Sequence, residues 1–66
     1  MTVHMRKKIT KEIYDNAQKN RGYITDEDMP KIFNTSELIG YGIYGAMAYE
    51  ENGEYWCSYN RGETCD

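Results

Sequence analysis

Residues 44–59 read YGAMAYEENGEYWCSY, and the rest of the chain is interpreted around them. Asn52-Gly53 is among the strongest short hairpin signals, because both residues tolerate the positive φ that a tight turn demands. On its C-terminal side Tyr55-Trp56-Cys57-Ser58-Tyr59 is a plain β run. On its N-terminal side the period is two from Leu38 onward. Ile39, Tyr41, Ile43, Met47 and Tyr49 are large, and Gly40, Gly42, Ala46 and Ala48 between them are small. The segment therefore predicts two antiparallel strands, the first bent at a glycine.

Two turns fit the hairpin. A two-residue Asn52-Gly53 turn places Tyr49 opposite Trp56 and Ala48 opposite Cys57. A three-residue turn with Gly53 in a bulge pairs Tyr49 with Tyr55 and Met47 with Cys57. The second register gathers Ile43, Met47, Tyr49, Tyr55, Cys57 and Tyr59 on one face, whereas a one-residue slip scatters them. Burial thus favours the three-residue turn. Its opposite face carries Tyr44, Ala46, Ala48, Trp56 and Ser58, an alanine floor with two aromatics standing on it.

Upstream, Ile9-Thr10 opens a helical pattern, with Thr10 as the cap and Ile13, Tyr14 and Ala17 on one stripe. Asn20-Arg21-Gly22 stops it, so a helix is expected from about 10 to 20. Tyr23-Ile24 reads as an extended link. Thr25 then caps one or two helical turns within 26–34, with Pro30 tolerated only in a first turn. The acidic triplet Asp26-Glu27-Asp28 suits a helix N-terminus. Asn34-Thr35-Ser36 reads as a loop, with a short turn at Ser36-Glu37. The expected fold is α+β: an N-terminal helix, a short second helical turn and an antiparallel sheet containing the C-terminal hairpin. Residues 1–8 are expected as a flexible basic segment ahead of a single domain spanning 9–66.

Sixty-six residues make one domain at most, and its core is thin. Seven tyrosines, one tryptophan and one phenylalanine supply much of the apolar surface, and tyrosine tolerates half-wet sites. The net charge of −3 is unevenly placed, at +4 over residues 1–22 and −7 over the remainder. No apolar run is long enough to span a bilayer and no signal-like segment opens the chain, so it reads as cytosolic. Cys57 and Cys65 are then expected as thiols.

Candidate chemistry is sparse. Gly40-Tyr41-Gly42-Ile43-Tyr44-Gly45 spells G-x-G-x-x-G, but no strand precedes it and no helix follows to hold a phosphate, so the glycines read as bends. His4, Cys57, Cys65 and Asp66 lack the spacing of a closed metal site, and neither metal nor cofactor is expected. The only histidine, His4, stands far from both cysteines in sequence, so no cysteine nucleophile is assigned. A monomer this thin is not expected to be an enzyme.

Two binding functions remain. The first is a protein-binding module that self-associates, with Tyr44 and Trp56 as aromatic anchors and Glu50, Glu51 and Glu54 as an acidic rim. The second is a small oligomeric nucleic-acid-binding protein that sets Arg6, Lys7, Lys8, Lys11, Lys19 and Arg21 against phosphates. Net negative charge weighs against the second.

No family motif is matched. In general style, being tiny, acidic, tyrosine-rich and built as helix then hairpin, the chain resembles accessory proteins of phages and mobile elements. Some of these inhibit host defence, as anti-CRISPR proteins do. The resemblance is one of type and carries no residue across; it implies an inhibitor or regulator of a host protein.

Overall fold

Asn52 and Gly53 both take positive φ, 53° and 80°, and close a two-residue turn between strands that face each other from Glu51 and Glu54 outward. The computed structural model describes residues 2–40 and 42–62. Within them run β1 (Thr2–Lys8), α1 (Lys11–Gln18), α2 (Met29–Ile32), α3 (Thr35–Gly40), β2 (Gly42–Glu51) and β3 (Glu54–Gly62). The three strands form an antiparallel sheet in the order β1-β3-β2. The fold is α+β.

The turn corrects the expected register. Tyr49 lies opposite Trp56 and Ala48 opposite Cys57, not Tyr49 opposite Tyr55. The twist of an Asn-Gly turn with positive φ at both positions matches the twist of the strands, so no third residue is needed. What gathers the buried set is a bulge further along β2. Register shifts between Tyr44 and Met47, where Gly45 has φ 67°. A Cβ there would also lie 3.0 Å from the Asn60 amide nitrogen, so the site demands glycine. The extra residue brings Ile43 to the same side as Ala46 and Ala48 and sends Met47 and Tyr49 to the other. The alanine floor and the aromatics expected on it are thereby parted.

Residues 2–8, expected as a flexible segment, form the edge strand β1. Their exposure alternates along the whole strand, and Met5 pairs with Tyr59 and Lys7 with Cys57. The pairing is driven from β3, whose Cys57 and Tyr59 are fully buried and need cover on this side.

Helix α1 starts where expected. Thr10 Oγ1 accepts from the Ile13 N–H at 3.2 Å. It ends at Gln18, with the Gly22 N–H donating to the Ala17 carbonyl at 2.8 Å and Gly22 at φ 89°. The link at 22–24 then runs along the free edge of β2. The Ile24 N–H donates to the Ala46 carbonyl at 2.9 Å, and the Ala48 N–H donates to the Gly22 carbonyl at 2.8 Å. Pro30 sits in the first turn of α2, as its missing N–H requires.

Helix α3 was not expected over 35–40, where the alternation suggested a strand beginning at Leu38. Asn34 and Glu37 decide it. The Glu37 N–H donates to Asn34 Oδ1 at 2.8 Å and the Asn34 N–H donates to Glu37 Oε1 at 3.1 Å, a reciprocal cap. Ile39 consequently stands in solvent, 80% exposed. The expectations for Tyr41 and Cys65 lie outside the described residues.

The core lies between α1, α2 and one face of the sheet. Ile13, Ala17, Ile24 and Phe33 meet Ala46, Ala48, Cys57 and Tyr59. Ala17 can approach the strands closely because Ala46 and Ala48 offer only methyl groups. Phe33 and Tyr59 meet edge to face, centroids 4.7 Å apart, and the Tyr59 hydroxyl points at Met5 Sδ, 3.8 Å away.

Among the described residues Asp28 is the one charged residue that is buried, 2% exposed. Asn16 donates to it at 3.3 Å and Lys31 pairs with it at 3.3 Å. Burial pushes its carboxyl up, but the bonds from Asn16, Lys31 and Thr25 outweigh burial and hold it below the ordinary range. Glu37 is held low as well, first by Lys7 at 2.8 Å and then by the backbone at Asn34. A carboxylate whose folded pKa is depressed stabilises above its unfolded pKa, and that contribution is lost as pH falls through the folded value. The melting temperature should therefore drop as pH is lowered from about 5 to below about 4, the ordinary carboxylate range. Asp28→Asn should flatten part of the drop in a thermal titration, and an unchanged slope would remove Asp28 from the account.

Candidate protein-contact face

The register that buries Cys57 and Tyr59 turns the alternate positions of every strand to the opposite face, which α1 and α2 do not cover. Along matched levels it presents His4, Asn60 and Tyr44, then Arg6, Ser58 and Met47, then Lys8, Trp56 and Tyr49, with Glu54 and Glu51 at the turn. Tyr23 joins the row, because its isolated bridge to Met47 places both side chains on one side.

Near the turn this face is laced together. The Arg6 guanidinium lies 4.3 Å from the Trp56 ring centre, and its Nη1 donates to the Tyr49 hydroxyl and to Glu51 Oε1, each at 3.2 Å. The bond to Tyr49, then that to Glu51, raises the Arg6 pKa further. Lys8 pairs with Glu54 and holds its ammonium 6.0 Å from the same ring. These cations cover Trp56 by stacking, a contact the indole face favours. The Trp56 Nε1–H beneath them is buried and has no acceptor among the described residues. At the far end His4 Nδ1 lies 3.2 Å from Asn60 Oδ1, and the Tyr44 hydroxyl donates to Thr2 Oγ1 at 3.2 Å across β3.

The free apolar surface lies beside this network. Tyr23, Met47 and Tyr44 are 48%, 40% and 52% exposed along the outer side of the face. Aromatic rings and a flexible thioether are the side chains from which interface anchors are drawn.

Of the residues expected to bind protein, Tyr44, Trp56, Glu51 and Glu54 share this face. Glu50, opposite Tyr55, lies on the other, at the exposed rim of the helical side. Tyr44 stands opposite Asn60, four residues along β3 from Trp56, so the two anchors do not touch through one pocket. The sequence reading missed Tyr23, Met47 and Tyr49. Tyr49 was within reach, since the two-residue turn sets it opposite Trp56. Tyr23 carries no local signal, because only the edge contact with Met47 places it.

The basic residues do not form one surface. Arg6 and Lys8 occupy the open face, each held by a carboxylate. Lys7 faces the helical side, where it pairs with Glu37, donates to the Ile32 carbonyl at 3.4 Å and lies over the Phe33 ring. Lys11 pairs with Asp15 along α1, and Lys19 and Arg21 sit at the end of that helix.

Other reactive groups are muted. Burial pushes the Cys57 thiol up to about 11 and outweighs the opposing charge of Lys7, which suppresses the thiolate. A shallow cleft of about 430 Å³ is lined by Asn16, Thr25, Asp26 and Glu27, and no histidine or cysteine lines it. Among the described residues no helix is long and apolar enough to cross a membrane. The chain matches no protein-family model, no curated protein and no solved structure.

Proposed function

We propose that this chain is a non-catalytic protein-binding module whose contact surface is the helix-free face of the sheet. The observation that carries the reading is the row Tyr23, Met47 and Tyr44, left in solvent beside a half-buried Trp56 while the helices cover only the other face. A contiguous apolar row on so small a body, rimmed by charge, is the pattern of an interaction site. Such a module acts by occupying a partner's surface, as an inhibitor or regulator of a host protein does. The dispersal of Arg6, Lys7, Lys8, Lys11, Lys19 and Arg21 over both faces, four of them in ion pairs, weighs against the nucleic-acid alternative, which favours a continuous basic track.

The test compares two double variants of the immobilised chain for retention of proteins from source-cell extract. Tyr44→Ser with Met47→Lys should lose the retained partner by tenfold or more, the effect of about 1.4 kcal/mol or greater expected at an anchor. Lys19→Glu with Arg21→Glu, on the α1 end, should keep it. Retention that survives the first pair and fails with the second would contradict the reading.

A further inference from the structure

We infer that α3 opens and closes on its own while the rest of the fold stays intact, and that the Lys7–Glu37 ion pair is the latch that holds it shut. Its six residues, Thr35–Gly40, lie far below the roughly 12–15 at which an isolated helix is even marginal in water. Thr35, Ser36, Ile39 and Gly40 are weak helix formers. Helices in proteins overcome such costs by packing an apolar face, and α3 buries no residue. Leu38 is exposed, Ile39 is 80% exposed, and the only half-buried residue is the charged Glu37. The period of two that runs from Leu38 onward also favours an extended chain here. Few buried contacts and a contrary local preference mark a segment that opens at a free energy well below that of global unfolding.

What holds α3 is gathered on that one carboxylate. Glu37 Oε1 accepts from Lys7 Nζ at 2.8 Å and from the Asn34 N–H at 3.1 Å, while the Glu37 N–H donates to Asn34 Oδ1. Lys7 is itself anchored outside α3. Strand β1 carries it, it donates to the Ile32 carbonyl at 3.4 Å, and its ammonium stands 5.3 Å from the centre of the Phe33 ring. The pair therefore ties the first turn of α3 to parts of the fold that stay closed. The charged groups acting on Glu37 are Lys7 of β1 and Arg61 of β3, and both favour its carboxylate. The latch is thus fully set above the unfolded pKa of Glu37 and is released as pH falls through the depressed folded value.

Amide hydrogen exchange on the full chain at neutral pH, followed by NMR, reads the opening directly. The reporters are the Leu38 N–H, which donates to the Asn34 carbonyl at 3.1 Å, and the Ala48 N–H, which donates to the Gly22 carbonyl at 2.8 Å beside the core. After correction for intrinsic rates, Leu38 should exchange roughly tenfold or more faster than Ala48, through an opening that low urea does not accelerate. Glu37→Gln keeps an acceptor for the Asn34 N–H and loses the charge. It should speed Leu38 exchange about tenfold, the effect expected when a charge-assisted bond is lost, and leave it insensitive to urea. Lys7→Gln should do at least as much, and the double variant should add little to it. Lys11→Gln, which breaks the Lys11–Asp15 pair on α1, should leave Leu38 unchanged. Lowering the pH from about 5 to below about 4 should open α3 in the wild type and have no further effect in Glu37→Gln. Leu38 and Ala48 exchanging in parallel and rising together with urea would make α3 part of one cooperative unit and overturn the inference. So would a Glu37→Gln chain whose core no longer protects Ala48. A Leu38 rate that Glu37→Gln leaves at the wild-type value, or that Lys11→Gln raises equally, would remove the latch.

Discussion

Replacing Tyr59 by alanine should leave most of the molecules unfolded at room temperature. Tyr59 is fully buried at the centre of the middle strand, edge-on to Phe33 and opposite Met5. Truncating a buried aromatic costs about 3–5 kcal/mol, and the cavity collapses poorly where strands fix the walls. A domain of this length holds on the order of 3–10 kcal/mol in total. Tyr59→Phe is the control, because it removes only the weak contact from the hydroxyl to sulfur and keeps the ring. Far-UV circular dichroism should show the alanine variant without a cooperative thermal transition and the phenylalanine variant within a few degrees of wild type. An alanine variant that melts like wild type would mean that the core lies elsewhere.

A chain that begins at Ile9 should also fail to fold. Removing residues 2–8 strips β3 of one neighbour along its length, takes Met5 from Tyr59 and leaves Glu37 without Lys7. The sheet is reduced to a hairpin and the bridged 22–24 edge, and a lone hairpin is marginal in water. Loss of the cooperative transition is the expected result. Retention of wild-type ellipticity and melting temperature by the truncated chain would show β1 to be dispensable.

That strand was also the feature least legible in the sequence. Val3 and Met5 alternate with polar residues, but Lys7 takes the third inward position, so the apolar period breaks where the basic run begins. Lys7 is tolerated there because Glu37, more than two dozen residues away, meets it. No local pattern contains that pairing. By contrast Thr10, Gly22 and Asn52-Gly53 act through their own backbone neighbours, and each did what its chemistry predicts. The bulge at Gly45 falls between these cases. The glycine was visible, but one added residue reverses which side chains share a face. Tyr44 and Trp56 thus came to share a surface through a different register from the expected one, and the alanines predicted to floor it went to the core. Asn34 and Glu37 carried a readable cap, overridden in the sequence by the strand-like Leu38-Ile39 that follows.

Methionine oxidation tests the central claim, that the helix-free face is the surface through which this chain meets a protein, most directly. Met47 stands on that face, whereas Met5 and Met29 pack against the core. In dilute solution Met47 should react with peroxide fastest of the three, read by mass spectrometry of the peptides. When the face is occupied by a retained partner, its rate should fall severalfold while that of Met29 holds. A Met47 rate that is the same in free and bound chain would contradict the account.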